Sequence, residues 1–138
     1  MQFHYTIEGG DFTHAGNASS QVKKVLKQLN VDAFVIKRVV VSLYEAEVNI
    51  VAHAYRGVID VTISNESVFV CLQDEGPGIP DVPLAMQEGF STATQQVREM
   101  GFGAGMGLPN IKKNSDKLEI KSEVGKGTRV EITTKIMV

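Results

Sequence analysis

The sequence predicts a single α+β domain, a two-layer sandwich with a mixed, mostly antiparallel sheet and helices on one face. Three observations carry that expectation. The chain has 138 residues, enough for one core and too few for two ordinary domains. Five short segments read as strands, two of them rich in β-branched and aromatic residues, with tight turns joining neighbours among them, as in antiparallel sheets. Three further segments repeat apolar residues at helical spacing.

Taken in order, Phe3-His4-Tyr5-Thr6-Ile7 alternates apolar and polar residues like a half-buried strand, and Gly9-Gly10 interrupts it. From about Gly16 to Leu29, Val22, Val25, Leu26 and Leu29 form the apolar side of an amphipathic helix. Asn30 stops it, and Asp32 is placed to cap a longer helix through about Ala54. Val58 to Ser64 and Val68 to Gln73 read as a hairpin across Asn65-Glu66. Asp74 to Gly107 concentrates glycine and proline, with one short helical stretch near Leu84 to Glu88, and a loop that long is usually functional or mobile. A helix at about Leu108 to Ser115 follows, with Pro109 in its tolerated first turn. Lys117 to Glu123 and Thr128 to Ile136 then form two strands around Gly125-Lys126-Gly127.

Composition narrows the function classes. Hydrophobic residues at 43% and charged residues at 22% are those of a globular chain, which excludes disorder and fibrous repeats. A net charge of −2 supplies no basic field for nucleic acid or anionic lipid, so neither is an expected partner. No apolar run approaches the roughly 18 residues of a membrane span, and the opening MQFHYTIEGG lacks a signal-peptide pattern, so a cytoplasmic protein is expected. The lone Cys71 lies in an apolar strand and reads as buried filling, not a nucleophile.

In the long helix Ile36, Val39, Leu43, Ala46, Ile50 and Ala54 fall on one face, and further apolar residues spread well round from it. A narrow polar band remains: Arg38, Ser42, Glu45, Asn49 and His53. It is either a solvated edge or the polar floor of a pocket. In a pocket, the Asn49 amide oxygen can ligate a hard cation, and the Glu45 carboxylate can orient or deprotonate a hydroxyl. His53 has no second histidine or cysteine nearby in sequence with which to begin a zinc site. Glu47 falls among apolar positions, where nothing in the sequence accounts for it and a subunit contact stays open.

Two glycine clusters flank the long loop. Asp74-Glu75-Gly76-Pro77-Gly78-Ile79-Pro80 follows a strand directly. It is good turn chemistry, and equally a place where Asp74 could accept from an aromatic amine such as adenine while Gly76 and Gly78 let a flat ring approach. Gly101-Phe102-Gly103-Ala104-Gly105-Met106-Gly107-Leu108 spaces glycines alternately and opens a helix, an arrangement suited to phosphate. The Walker pattern fails, because the only Gly-Lys, Gly125-Lys126, precedes Gly127. The dinucleotide pattern fails because Leu108 stands where its third glycine belongs.

The order of these pieces is more specific than any one of them. Glu45-Ala46-Glu47-Val48-Asn49, then Asp74-Glu75-Gly76-Pro77-Gly78, then Gly101 to Leu108, then Gly127-Thr128 resemble the N, G1 and G2 boxes and closing Gly-Thr of the GHKL ATPases. The likeness spans about residues 30 to 135. Asn49 to Tyr55, Gly89-Phe90-Ser91-Thr92 and Gly107 to Lys112 are similar to the anti-sigma-factor serine kinases, RsbT-like and then RsbW-like.

The resemblance implies one Bergerat-fold ATPase/kinase domain over residues 1–138, with an ATP lid at about 80–101. It implies ATP and Mg²⁺ as cofactors, with Asn49 the metal ligand and Glu45 the catalytic base. Asp74 and Thr128 would hold adenine beside Gly76 and Gly78, and Gly101, Gly103, Gly105, Gly107 and Leu108 would wrap the phosphates. The implied substrate is a serine on a STAS-domain antagonist protein, with a sigma factor or other regulator as a further partner and room for a homodimer. The stretch 93–100 is longer than the resemblance requires. Two alternatives are an ATP-gated anti-sigma binding module without chemistry and a histidine-kinase catalytic lobe. The second is disfavoured, because no dimerisation hairpin precedes the domain to carry a phospho-acceptor.

Overall fold

In the computed structural model, residues 1–87 and 107–136 are described. β1 (Gln2–Glu8) leads through a 3₁₀ turn, Phe12–His14, into α1 (Asn17–Gln28) and α2 (Ala33–His53). Then come β2 (Arg56–Ile63), β3 (Ser67–Glu75), the short α3 (Val82–Ala85), α4 (Gly107–Lys113), β4 (Lys117–Glu123) and β5 (Gly127–Lys135). The strands form one sheet in the order β1-β2-β3-β5-β4. Every pairing in it is antiparallel, so the sheet is simpler than the mixed one expected.

Asp32 starts α2 as its spacing predicts, its carboxylate accepting from the Phe34 amide at 2.8 Å. The short helix lies earlier than expected because Asp81 caps it, accepting from the Leu84 amide at 3.1 Å, with proline in its first turn. α4 likewise begins at Gly107 and ends at Lys113, slightly ahead of its sequence-based bounds.

Alternation along the strands creates the core. Ile59, Val61, Ile63, Val68, Val70, Leu72 and Ile132 turn to one face, where α2 packs across β1, β2, β3 and β5. Ile36, Val39, Leu43, Ala46 and Ile50 are the α2 side of that interface, and α1 and α4 flank α2. Cys71 is not core filling. It lies between inward Val70 and Leu72, so it faces outward and is only half-buried, in a cross-strand row with Asp60 and Glu131.

Glu47 is fully buried, and its role is local rather than a subunit contact. The N-cap of α1 is Gly16, which has no side chain to meet the first-turn amides. Glu47 meets them from α2: Oε2 accepts from Ala18 N–H at 3.1 Å and Oε1 from Ser19 N–H at 3.2 Å. A carboxylate there also suits the positive end of the helix dipole. Sequence periodicity cannot reveal this, because the partner amides are 28 and 29 residues away.

Leu43 is wholly enclosed at the centre of the helix–sheet interface. Leu43→Ala is expected to destabilise the fold by about 3 kcal/mol through lost burial and the cavity left behind. Urea unfolding followed by far-UV circular dichroism reads it.

Candidate functional site

The inward positions of β3 continue past Val68, Val70 and Leu72 to Asp74, so strand parity delivers this acid to the helix-covered side of the sheet at its rim. Thr128 occupies the matching inward position of β5, and Ser122 of β4 pairs with it. Asp74 Oδ1 accepts from the Thr128 backbone N–H at 3.0 Å. Among the described residues Oδ2 has no hydrogen-bond donor, which leaves one carboxylate oxygen for a donor from outside. The Thr128 hydroxyl is bonded to Ser122 Oγ at 2.8 Å, and Ser122 Oγ accepts from Ile79 N–H at 2.6 Å. Thr128 thus orients Asp74 through its main chain, while its hydroxyl anchors the loop after β3. Ser122 was not singled out from sequence; its only signal is its position opposite Thr128 in the hairpin.

Burial pushes the Asp74 carboxyl above the ordinary carboxylate range, and the Thr128 amide opposes that shift in part. The glycines around it have separate causes. A side chain on Gly127 would overlap the Asp74 main chain. Gly76 lies against the Cα of Ala54, where a Cβ would stand 3.0 Å away. Gly78 has φ +77° and abuts the Glu123 carbonyl and Val124, so packing alone demands a glycine there.

The contact of Gly76 with Ala54 brings the Asp74 rim to the C-terminal end of α2, where the polar band finishes at His53. The band divides in two. Arg38 pairs with Asp116 at 3.3 Å, and Ser42 is buried and donates to the Arg38 carbonyl at 2.6 Å, so this half serves structure. Glu45, Asn49 and His53 are half-buried, on consecutive turns leading towards Asp74. Burial lowers the His53 pKa, which favours a neutral imidazole.

α4 closes the other side. Gly107 lies so near Asn49 that a Cβ there would stand 3.1 Å from both Oδ1 and Nδ2. One turn on, Asn110 Nδ2 donates to Glu45 Oε1 at 3.5 Å. Sequence reading saw Asn110 only as part of a motif; its place three residues after Gly107, on the same helix face, is the signal that ties it to Glu45. Leu108 packs partly buried against the core. Gly101, Gly103 and Gly105, the stretch 93–100 and most of the expected lid at 80–101 lie outside the described residues.

The described residues thus gather Glu45, Asn49, Gly107 and Asn110 where α4 meets α2, and Asp74, Gly76 and Thr128 at the sheet rim, which meets the C-terminal end of α2 at Ala54. Residues 10–134 match the family described as Histidine kinase-like ATPase domain. The chain belongs to that family. It is 29% identical over 113 residues to "Serine/threonine-protein kinase RsbT" of Bacillus subtilis (strain 168), covering 79% of each chain. It is 37% identical over 94 residues to "Anti-sigma F factor" of Thermoanaerobacter sp. (strain X514), covering 64% of this chain and 62% of that one, a little under two thirds of that relative. The solved structure of the RsbU and RsbW domains of Rv1364c from Mycobacterium tuberculosis superposes with a TM-score of 0.68 and 17% identity. That match covers 99% of this chain and 32% of the other, and it supports the shared fold. The expected GHKL-type fold and the likeness to serine kinases and anti-sigma factors thus hold for this member of the histidine kinase-like ATPases. No helix among the described residues is long and apolar enough to cross a membrane.

The raised titration of Asp74 fixes the sign of one effect. Its buried charge weakens the ligand-free fold above its folded pKa, and this penalty disappears below the unfolded value, where both states are protonated. Asp74→Asn should therefore unfold at a higher urea concentration than the parent at pH 7, with the two midpoints converging towards about pH 3. Equal midpoints at both pH values would contradict the assigned burial.

Proposed function

We propose that this chain is an ATP-dependent serine kinase of a partner-switching system, acting on a serine of a STAS-domain antagonist protein. The observation that carries the reading is Glu45. It is held by Asn110 one turn before Asn49, beside the Gly107 turn, at a site whose far end is Asp74. A member of this family that merely bound nucleotide would need the Asp74 end and the glycine turn, but no carboxylate at Glu45. The similarity to a named serine/threonine kinase supports the same reading. The similarity to anti-sigma F factors supports a regulatory protein, such as a sigma factor, as a further partner.

In this reading the free Oδ2 of Asp74 accepts from the adenine amine, and Thr128 N–H holds that carboxylate in place. Gly76 leaves room beside the ring, while Gly78 shapes the turn. Gly101, Gly103, Gly105, Gly107 and Leu108 wrap the phosphates through main-chain N–H groups. A Cβ at Gly107 would crowd the Asn49 carboxamide, so the glycine keeps that oxygen donor open.

A single neutral oxygen ligand suits Mg²⁺, which keeps several waters and shares phosphate oxygens. When bound it would neutralise charge on the phosphates. Glu45 takes the proton of the substrate serine hydroxyl as its oxygen bonds to the γ-phosphorus. The bond to ADP breaks, so one phosphoryl group moves and ADP leaves. Residues 80–101 act as the lid that excludes water during transfer. The whole chain, 1–138, works as one domain, in the cytoplasm.

Glu45→Ala should reduce phosphotransfer to a STAS-domain substrate by about 10²–10⁴-fold, the usual contribution of a positioned base, with ATP affinity kept within about twofold. Labelled ATP and calorimetric titration read the two quantities. Unchanged output from this variant would favour an ATP-gated binding module without chemistry.

Asp74→Asn should weaken ATP binding by about tenfold or more, because an amide donor then competes at the adenine amine. In the parent, ATP affinity should fall as pH drops through the raised titration of Asp74, since the protonated acid loses acceptor capacity. Titration at several pH values reads it, and affinity flat across that range would place adenine elsewhere.

A further inference from the structure

We propose that Glu47 is a positioning residue for the phosphate end of the site, acting through the back of α2. The inference rests on the functional reading of Glu45 and Asn49 given above. Glu47 stands two residues from each of them, and at 100° per residue it points to the opposite side of the helix from both. What it holds there is the first turn of α1: its wholly enclosed carboxylate accepts hydrogen bonds from the Ala18 and Ser19 amides.

The grip has a second point. Gly16 has φ +96° and lies against the Tyr44 ring, where a Cβ would meet Cε1 at 3.1 Å, and the Ser19 hydroxyl ties the turn by donating to the Gly16 carbonyl at 3.0 Å. The turn from Gly16 to Ser19 therefore clasps α2 at Tyr44 and at Glu47, one residue before Glu45 and two after it.

Such a clasp fixes the rotation of this stretch of α2 about its axis. Rotation matters here because the functional side chains project from the opposite side, where a small turn of the helix becomes a displacement of their polar ends. The hydrophobic contacts of Leu43, Ala46 and Ile50 resist translation but are non-directional. The two hydrogen bonds of Glu47 are directional. Beside Glu47 lies a cavity of about 90 Å³, lined among others by Tyr5, Asp11, His14, Asn17 and Val51. It offers space into which the helix can settle once the carboxylate is gone.

The test uses the full chain with Glu47→Leu, Glu47→Gln and Glu47→Asp. The glutamine keeps the length of the side chain but offers one acceptor instead of two. The aspartate keeps the charge but is a methylene shorter. Three quantities are measured: ADP affinity without metal, the gain in ADP affinity on adding Mg²⁺, and the phosphotransfer kcat and KM per folded molecule, with the folded fraction taken from denaturant unfolding.

A positioning role predicts metal-free ADP affinity within about twofold of the parent, because Asp74 and the sheet rim are untouched. It predicts a Mg²⁺ gain reduced about tenfold and kcat reduced about tenfold or more with KM held, the scale at which small misplacements act. Glu47→Gln should fall between Glu47→Leu and the parent. If Glu47→Leu does not fold, the glutamine and aspartate variants carry the same comparison.

Variants that only unfold at lower denaturant, with the Mg²⁺ gain and kcat per folded molecule unchanged, overturn the proposal and leave the functional reading intact. A parent chain that binds no nucleotide overturns both, and that is known before any variant is made.

Discussion

A helix of 21 residues that buries side chains round most of its circumference has little surface left for polar groups, and α2 lives under that constraint. Its apolar residues form the centre of the core, lying across β1, β2, β3 and β5. The polar groups it keeps must each be answered by a neighbour or face a ligand. Ser42 is answered by the carbonyl of Arg38, Arg38 by Asp116 and Glu47 by α1. The Asn49 side chain has no hydrogen-bond partner among the described residues, and the Glu45 side chain has only the long contact to Asn110. Buried structure and open chemistry are thus sorted residue by residue along one rod.

The sheet supplies the other half of the site by parity alone. Once Val68, Val70 and Leu72 turn inward, Asp74 must follow, and it meets the end of α2 where Gly76 allows Ala54 to approach. The hairpin of β4 and β5 then places Thr128 and Ser122 on the same side. A one-residue slip of β3 against β5 would turn Asp74 to the outer face and dismantle the arrangement.

Much of this was legible in the sequence, because periodicity is a local property. The five strands, the two long helices and the cap at Asp32 follow from apolar spacing and turn residues, with bounds within a few positions. Glu45 and Asn49 stood out because they form a narrow polar band on a largely apolar helix, and Asp74 because it stands where a strand ends. What could not be read depends on partners distant in the chain. Glu47 looked anomalous because its amides belong to α1. Gly78 has a packing reason of its own, the close approach of Glu123, which sequence spacing does not reveal. Cys71 looked buried because an apolar run does not reveal that alternate residues of a covered strand face away from the helices. Asn110 lay inside a motif whose purpose appeared only when α4 was seen to pack against α2.

The outward placement of Cys71 gives the sheet an asymmetry of its own. The thiol is the only one in the chain, three residues before Asp74 on the same strand. Desolvation raises its pKa, and the carboxylates of Glu131 and Asp60 add to this against the opposing charge of Arg129, so little thiolate forms at neutral pH. The side chain can therefore sit on the outer face of an ATPase domain and remain a poor target for peroxide or disulfide exchange, its thiol kept protonated first by partial burial and then by the acids beside it.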